Sequence, residues 1–138
     1  MFVALFLIWP HLAYNKAMVD RAKIIEFIKK QQAERFRVID NTGTDKRIVG
    51  GQFPDIIFLQ TEPPPNDNIL FVLKIETNPT IDSVSEWKSL SAVPSVFYIV
   101  VPKDKLDDAK KLAAATGVNA RFAWYEVEGE KLKQVNYE

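Results

Sequence analysis

Residues 54–76 read PDIIFLQTEPPPNDNILFVLKIE, and this stretch decides the fold. Ile56 to Leu59 is a short β-branched and aromatic run opened by Pro54-Asp55. Ile69 to Leu73 is a second run with no polar residue, and charge returns only at Lys74 and Glu76. Strands that are apolar on every residue, not on alternate ones, are covered on both faces, so the pattern predicts two central strands of a sheet sandwiched between helices. The three consecutive prolines at 63–65 fix φ and remove donors, so the chain between the strands must be a loop.

Working outward, Met18, Ala22, Ile25 and Ile28 recur at helical spacing and predict a first helix, with Lys29 and Lys30 in its last turn where the helix dipole favours cations. Arg35 to Ile39 predicts a strand, Asn41-Thr42-Gly43 a turn, and Arg47 to Val49 an extended return up to Gly50-Gly51. Beyond residue 76, Ser83-Val84-Ser85-Glu86 reads as a capping box opening a helix with Val84, Trp87 and Leu90 inward. Ser95 to Val101 is a further buried strand. Asp104 to Thr116 predicts a third helix with Leu106, Ala109, Leu112 and Ala113 inward and Gly117 as its C-terminal cap. Arg121 to Val127 is a strand, and Glu128-Gly129-Glu130 turns it toward Leu132 to Tyr137, an expected edge element outside the core. The expectation is an α/β domain over residues 1–138, with a mixed central sheet flanked by helices in the order α-β-β-β-α-β-α-β.

Composition narrows the chemistry. The chain has 138 residues, 18 basic and 18 acidic, no cysteine and a single histidine, His11. Disulfides, thiolate zinc, a cysteine nucleophile and a multi-histidine metal site are thereby excluded, and a Ser-His-Asp triad has little to draw on. Carboxylates, lysines and hydroxyls remain. Residues 1–50 hold nine of the basic residues and five of the acidic ones, so this part is mildly basic, either as a nucleic-acid footprint or as a solvated helix face. No strand is followed by a Gly-x-Gly-x-x-Gly or a P-loop, which argues against nucleotide binding by those devices.

Residues 1–17 form an apolar N-terminal extension. Its run from Met1 to Trp9 is shorter than the roughly 20 residues of a membrane span and has no basic n-region of a secretory signal, so neither is expected. Packing on a second copy, giving a homo-oligomer, is one use for it; translation starting at Met18 is another account of the segment. The absence of cysteine fits a reducing, cytoplasmic setting. His11 is read as an ordinary surface or interface histidine.

The order of elements, with Pro54-Asp55 at one strand and charged residues at the end of the next, resembles the PD-(D/E)xK nuclease superfamily, whose fold is the restriction-endonuclease-like core. The likeness spans about residues 18–127. It implies that Asp55 and an acid at the end of the next strand hold magnesium for phosphodiester hydrolysis of DNA or RNA, with a lysine positioning the attacking water. Here the acid-x-lysine half is exchanged to Lys74-Ile75-Glu76. Side chains two apart on a strand share a face, so Lys74 and Glu76 still project together, but each group is displaced by about 6–7 Å along the strand. Magnesium takes oxygen ligands at about 2.0–2.1 Å and has no such tolerance.

Three readings follow. Asp55 and Glu76 hold magnesium and Lys74 serves catalysis, with Glu26 of the first helix completing the metal shell; or Lys74 pairs with the carboxylates in place of a metal, leaving a non-catalytic scaffold for nucleic acid or a partner protein; or these are polar residues where strands leave the core. Whether the chain is an enzyme therefore stays open at this stage. Glu26 has an alternative as a surface partner of Lys23, Lys29 or Lys30. Lys88 is a candidate migrated cation, Trp87, Trp124 and Tyr125 either stack on bases or pack in the core, and Gln52 either reaches a phosphate or serves a turn.

Overall fold

A computed structural model describes residues 20–43, 46–61 and 68–138. The apolar extension at 1–17, His11, Met18 and the triple proline lie outside the described residues. The elements are α1 (Arg21–Gln32), β1 (Arg37–Asp40), β2 (Ile56–Leu59), β3 (Ile69–Ile75), α2 (Val84–Ser91), β4 (Val96–Pro102), α3 (Leu106–Thr116), β5 (Arg121–Glu128) and β6 (Lys131–Tyr137). Single 3-10 turns, Ile81–Ser83 and Lys103–Lys105, lead into α2 and α3. The six strands form one mixed sheet in sequential order from β1 to β6. β3, β4 and β5 are parallel neighbours, and the other pairs are antiparallel.

Parallel neighbours require a crossover, which α2 supplies between β3 and β4 and α3 between β4 and β5. Two cores result, one on each side of the sheet. Ile24, Ile25 and Ile28 of α1 pack with Ile56, Leu73, Ile75 and Val100. Val84, Trp87 and Leu90 of α2 and Ala109 and Ala113 of α3 pack with Ile57, Val72, Ile99 and Phe122 on the opposite face. Alternate residues of β2 and β3 thus go to different cores, which is why neither strand has polar alternation.

α1 touches both β1 and β6, the two edges of the sheet. The sheet is therefore curled around this helix. At the far edge, Gln31 donates through Nε2 to the Val135 carbonyl at 2.8 Å, and the Tyr137 hydroxyl donates to Gln31 Oε1 at 2.9 Å. Under the curl runs a row of rings, Phe36, Phe58, Phe71, Tyr98 and Tyr137, with successive centroids of the ordered pairs 5.1–6.0 Å apart. Such offset and edge-on contacts add to simple burial.

The sequence expectations shift in four places. α1 is capped at Asp20, whose carboxylate accepts from Ala22 N–H at 3.2 Å. Arg35 and Phe36 are not strand residues: their N–H groups donate to the Gln32 carbonyl, and β1 starts at Arg37. The capping box falls three residues earlier than expected, on Thr80 and Ser83, because a 3-10 turn precedes α2. The 132–137 segment is an edge strand, but Val135 is 1% exposed and belongs to the α1 core. Gly117, with φ of 75°, closes α3 as expected.

Between β1 and β2 the chain makes a small hairpin. Val49 and Gln52 exchange backbone hydrogen bonds of 2.8 and 3.0 Å around Gly50 and Gly51, whose φ values of 61° and 79° fit a type I′ turn. Gly50 also has no room for a side chain, since a Cβ there would sit 2.8 Å from the Ser89 carbonyl oxygen of α2. Gln52 accordingly serves the turn. The buried Asn41 ties the ends of this loop, donating to the carbonyls of Arg47 and Pro54 and accepting from Arg47 N–H. Its own N–H donates to the Asp55 carbonyl, so the clip fixes the entry into β2 and with it Asp55.

Candidate functional site

Asp55 sits one residue before β2, with its N–H donating to the Leu73 carbonyl of β3 at 2.9 Å. Its side chain is 5% exposed. Oδ2 accepts the Ile75 N–H at 2.7 Å, so the carboxylate takes a β3 donor just beyond the start of β2. Oδ1 faces Arg21 at the start of α1, with Nη1 at 3.4 Å. The Lys74 ammonium lies 3.9 Å from Oδ2 and 3.2 Å from Glu86 Oε1 in the first turn of α2, and the Lys74 side chain is 13% exposed. Glu76, just past β3, is turned to α2: Trp87 Nε1–H donates to Oε1 at 3.2 Å and Ser83 Oγ–H to Oε2 at 3.4 Å.

Asp55, Lys74 and Glu76 therefore meet at one rim of the sheet, as expected from strand alternation. The two acids nevertheless serve different groups. Asp55 is held by Ile75, Arg21 and Lys74, and Glu76 by Trp87 and Ser83. Glu26 stays on the exposed side of α1, 3.6 Å from Lys29, in the surface pair that its spacing also allowed. Among the described residues no group of three or more acidic or histidine side chains is placed to hold a metal ion. Lys88 is exposed on α2, Trp87 is fully buried, Tyr125 is buried among the α1 core and Trp124 is half-buried.

Arg21 and Glu86 are members of the cluster that sequence reasoning did not assign. The signal for Glu86 was its place one turn into a helix that follows the β3 end. Arg21 had only its position at the start of an amphipathic helix.

Electrostatically the rim is costly. Burial pushes the Asp55 carboxyl above the ordinary aspartate range, outweighing the Ile75 N–H and the cations of Lys74 and Arg21, which pull it down; Glu86 adds to the rise. Burial likewise raises Glu76 against the hydrogen bond from Trp87 and the charge of Lys74. A carboxyl whose folded pKa exceeds its unfolded value gives stability that is full below the unfolded pKa, about 4.3 for glutamate, and is lost as pH rises through the folded pKa. Glu76→Gln removes that loss while keeping an acceptor for Trp87. The variant is expected to match the wild type near pH 4 and to exceed it near pH 7 by on the order of 0.5 kcal/mol, partial solvent screening allowed for. Thermal melts at the two pH values check this; a variant weaker at pH 7 would mean that the ionised carboxylate is a net stabiliser.

No family model, curated protein or solved structure matches the chain, so the site's chemistry rests on this geometry.

Proposed function

We propose that the chain is a divergent relative of the PD-(D/E)xK nucleases in which Lys74 takes the place of the metal, and that it binds nucleic acid without cutting it. The observation that carries this reading is the nearly buried Lys74 ammonium between Asp55 and Glu86. Both Asp55 oxygens already have partners, and an ion bound there would have to displace the Ile75 N–H or the cations of Arg21 and Lys74. Magnesium needs near-octahedral oxygen ligation at about 2.0–2.1 Å, and an ammonium among its ligands opposes it by charge. The donor set does not suit that ion, and no hydrolytic step is derived through it. The mixed sheet flanked by helices supports the kinship.

Nucleic acid is the ligand class favoured by the surface of α1 and the turn after it. Arg21, Lys23, Lys29, Lys30 and Arg35 lie there against Glu26 and Glu34, and among the described residues Lys23 and Lys30 have no ion-pair partner. Clustered cations bind phosphates by releasing counterions, which makes the association salt-dependent.

Calorimetry with manganese, paired with retention and cleavage assays on DNA and RNA, tests both halves. Wild type is expected to give no saturable metal heat at millimolar manganese, to leave nucleic acid intact, and to retain it less as salt rises. Lys74→Glu should gain metal binding. Saturable metal binding by wild type that disappears in Asp55→Asn, together with metal-dependent cleavage, would restore the hydrolytic reading.

A further inference from the structure

We infer that the end of the sheet opposite Lys74 holds a second site, one that takes a phosphate group. Between the last turn of α2, the start of β4 and the turn from α3 to β5 lies a cavity of about 310 Å³, lined by Ser91, Pro94, Ser95, Phe97, Asn119 and Arg121 among others. That volume is near the lower end of small-molecule sites, about 300 Å³. Its lining residues include an arginine, an asparagine and two serines, and no acidic residue. Among the described residues, the side chains of Ser95, Asn119 and Arg121 have no hydrogen-bond or ion-pair partner. Ser91 donates to the Lys88 carbonyl at 2.9 Å and keeps its lone pairs. Glu138, which accepts from the N–H of the next residue, Phe122, is engaged by Lys110 at 3.0 Å and does not pair with Arg121.

The ligand's charge follows from this inventory. A cation meets an unpaired guanidinium and no acid, and a neutral ligand leaves that guanidinium without a counter-charge. An oxyanion accepts from the guanidinium fork, the amide and the hydroxyls at once, and phosphate suits the fork's bidentate geometry. Against it stand the C-terminal ends of α2 and α3, each equivalent when bare to about half a negative charge. Both ends are capped here. The Ser89 and Leu90 carbonyls accept from Ala92 and Val93, and the Ala113 and Ala114 carbonyls from Val118 and Gly117, so the full charge of Arg121 prevails. The site lies at the other end of the parallel strands from Lys74, and it does not depend on the function proposed above.

The phosphate can be free or small, or it can be the 5′ end of a nucleic-acid strand. Amide resonances of Ser95, Asn119 and Arg121 would be followed while the full chain is titrated with inorganic phosphate, with a 5′-phosphorylated oligonucleotide and with its 5′-hydroxyl counterpart. Saturable shifts of these amides are expected with phosphate, weakened about tenfold or more in Arg121→Gln, a substitution at an exposed side chain that should leave the thermal midpoint unchanged. Tighter binding of the phosphorylated oligonucleotide than of both other probes would identify a strand end as the ligand; equal binding to it and to phosphate would identify the free or small form. Ser95→Ala gives a second reading if Arg121→Gln fails to fold. Lys23→Gln with Lys30→Gln should leave these shifts in place, which separates this site from the α1 surface. Absence of saturation at millimolar phosphate, or equal affinity in Arg121→Gln and Ser95→Ala, would overturn the inference.

Discussion

Lys74→Met is expected to destabilise the protein by about 2–4 kcal/mol at neutral pH, a little under the roughly 3–5 kcal/mol found when one member of a buried ion pair is removed and its partner is left charged. The reasoning starts from β3. Position 74 points to the α2 side of the sheet, where Val72 is fully buried, and a lysine tolerates that position because two carboxylates reach its ammonium. Methionine fills the same space and matches the apolar surroundings, so packing is nearly kept. What is lost is the cation between Asp55 and Glu86. Asp55 retains Arg21 and the Ile75 N–H, which limits the loss. Near pH 4 the carboxyls take up protons and the penalty should shrink, so urea melts at pH 4 and pH 7 separate this cause from poor packing. A loss equal at both values would show that the ammonium is not what balances the acids.

Trp87→Ala should cost more, about 3–5 kcal/mol. Trp87 is 0% exposed and lies at the centre of the core between the sheet, α2 and α3. Its removal opens a large apolar void and deprives the half-buried Glu76 of the indole N–H. Against a total stability of about 5–15 kcal/mol, this takes a large share of what holds the domain folded. Trp87→Phe separates the two contributions. The ring remains and the N–H does not, so a loss of about 1–2 kcal/mol is expected. Denaturant melts followed by circular dichroism would read both, and equal losses for the two variants would assign the whole effect to the hydrogen bond.

The parts of this molecule that could be read from the chain are those where a single element carries its own reason. β2 and β4 are apolar throughout, and β3 everywhere but at Lys74, because each is covered twice, and α3 shows its inward alanines and its closing glycine in order. Asp55, Lys74 and Glu76 could be brought together on paper because strand alternation fixes where neighbouring side chains go. Arg21 and Glu86 could not, since they arrive from other elements across turns whose geometry has no residue signature. The displaced capping box has the same origin: Ser83 and Glu86 have the right identities and spacing, but the 3-10 turn from Ile81 moves the cap to Thr80. The curl of the sheet was also hidden, because twist accumulates over many strands and belongs to no one of them.

That curl bears on how the domain is made. Gln31 is separated from its partners on β6 by 104 and 106 positions, and the pocket around α1 is walled on both sides only when the last strand has been laid down. During synthesis α1 emerges before every strand of the sheet and waits, its isoleucines open to solvent or to whatever else is near, until more than a hundred further residues have left the ribosome. A nascent chain halted before β6 should therefore be one that chaperones hold, because a helix made ahead of the sheet is sheltered by the sheet's last strand.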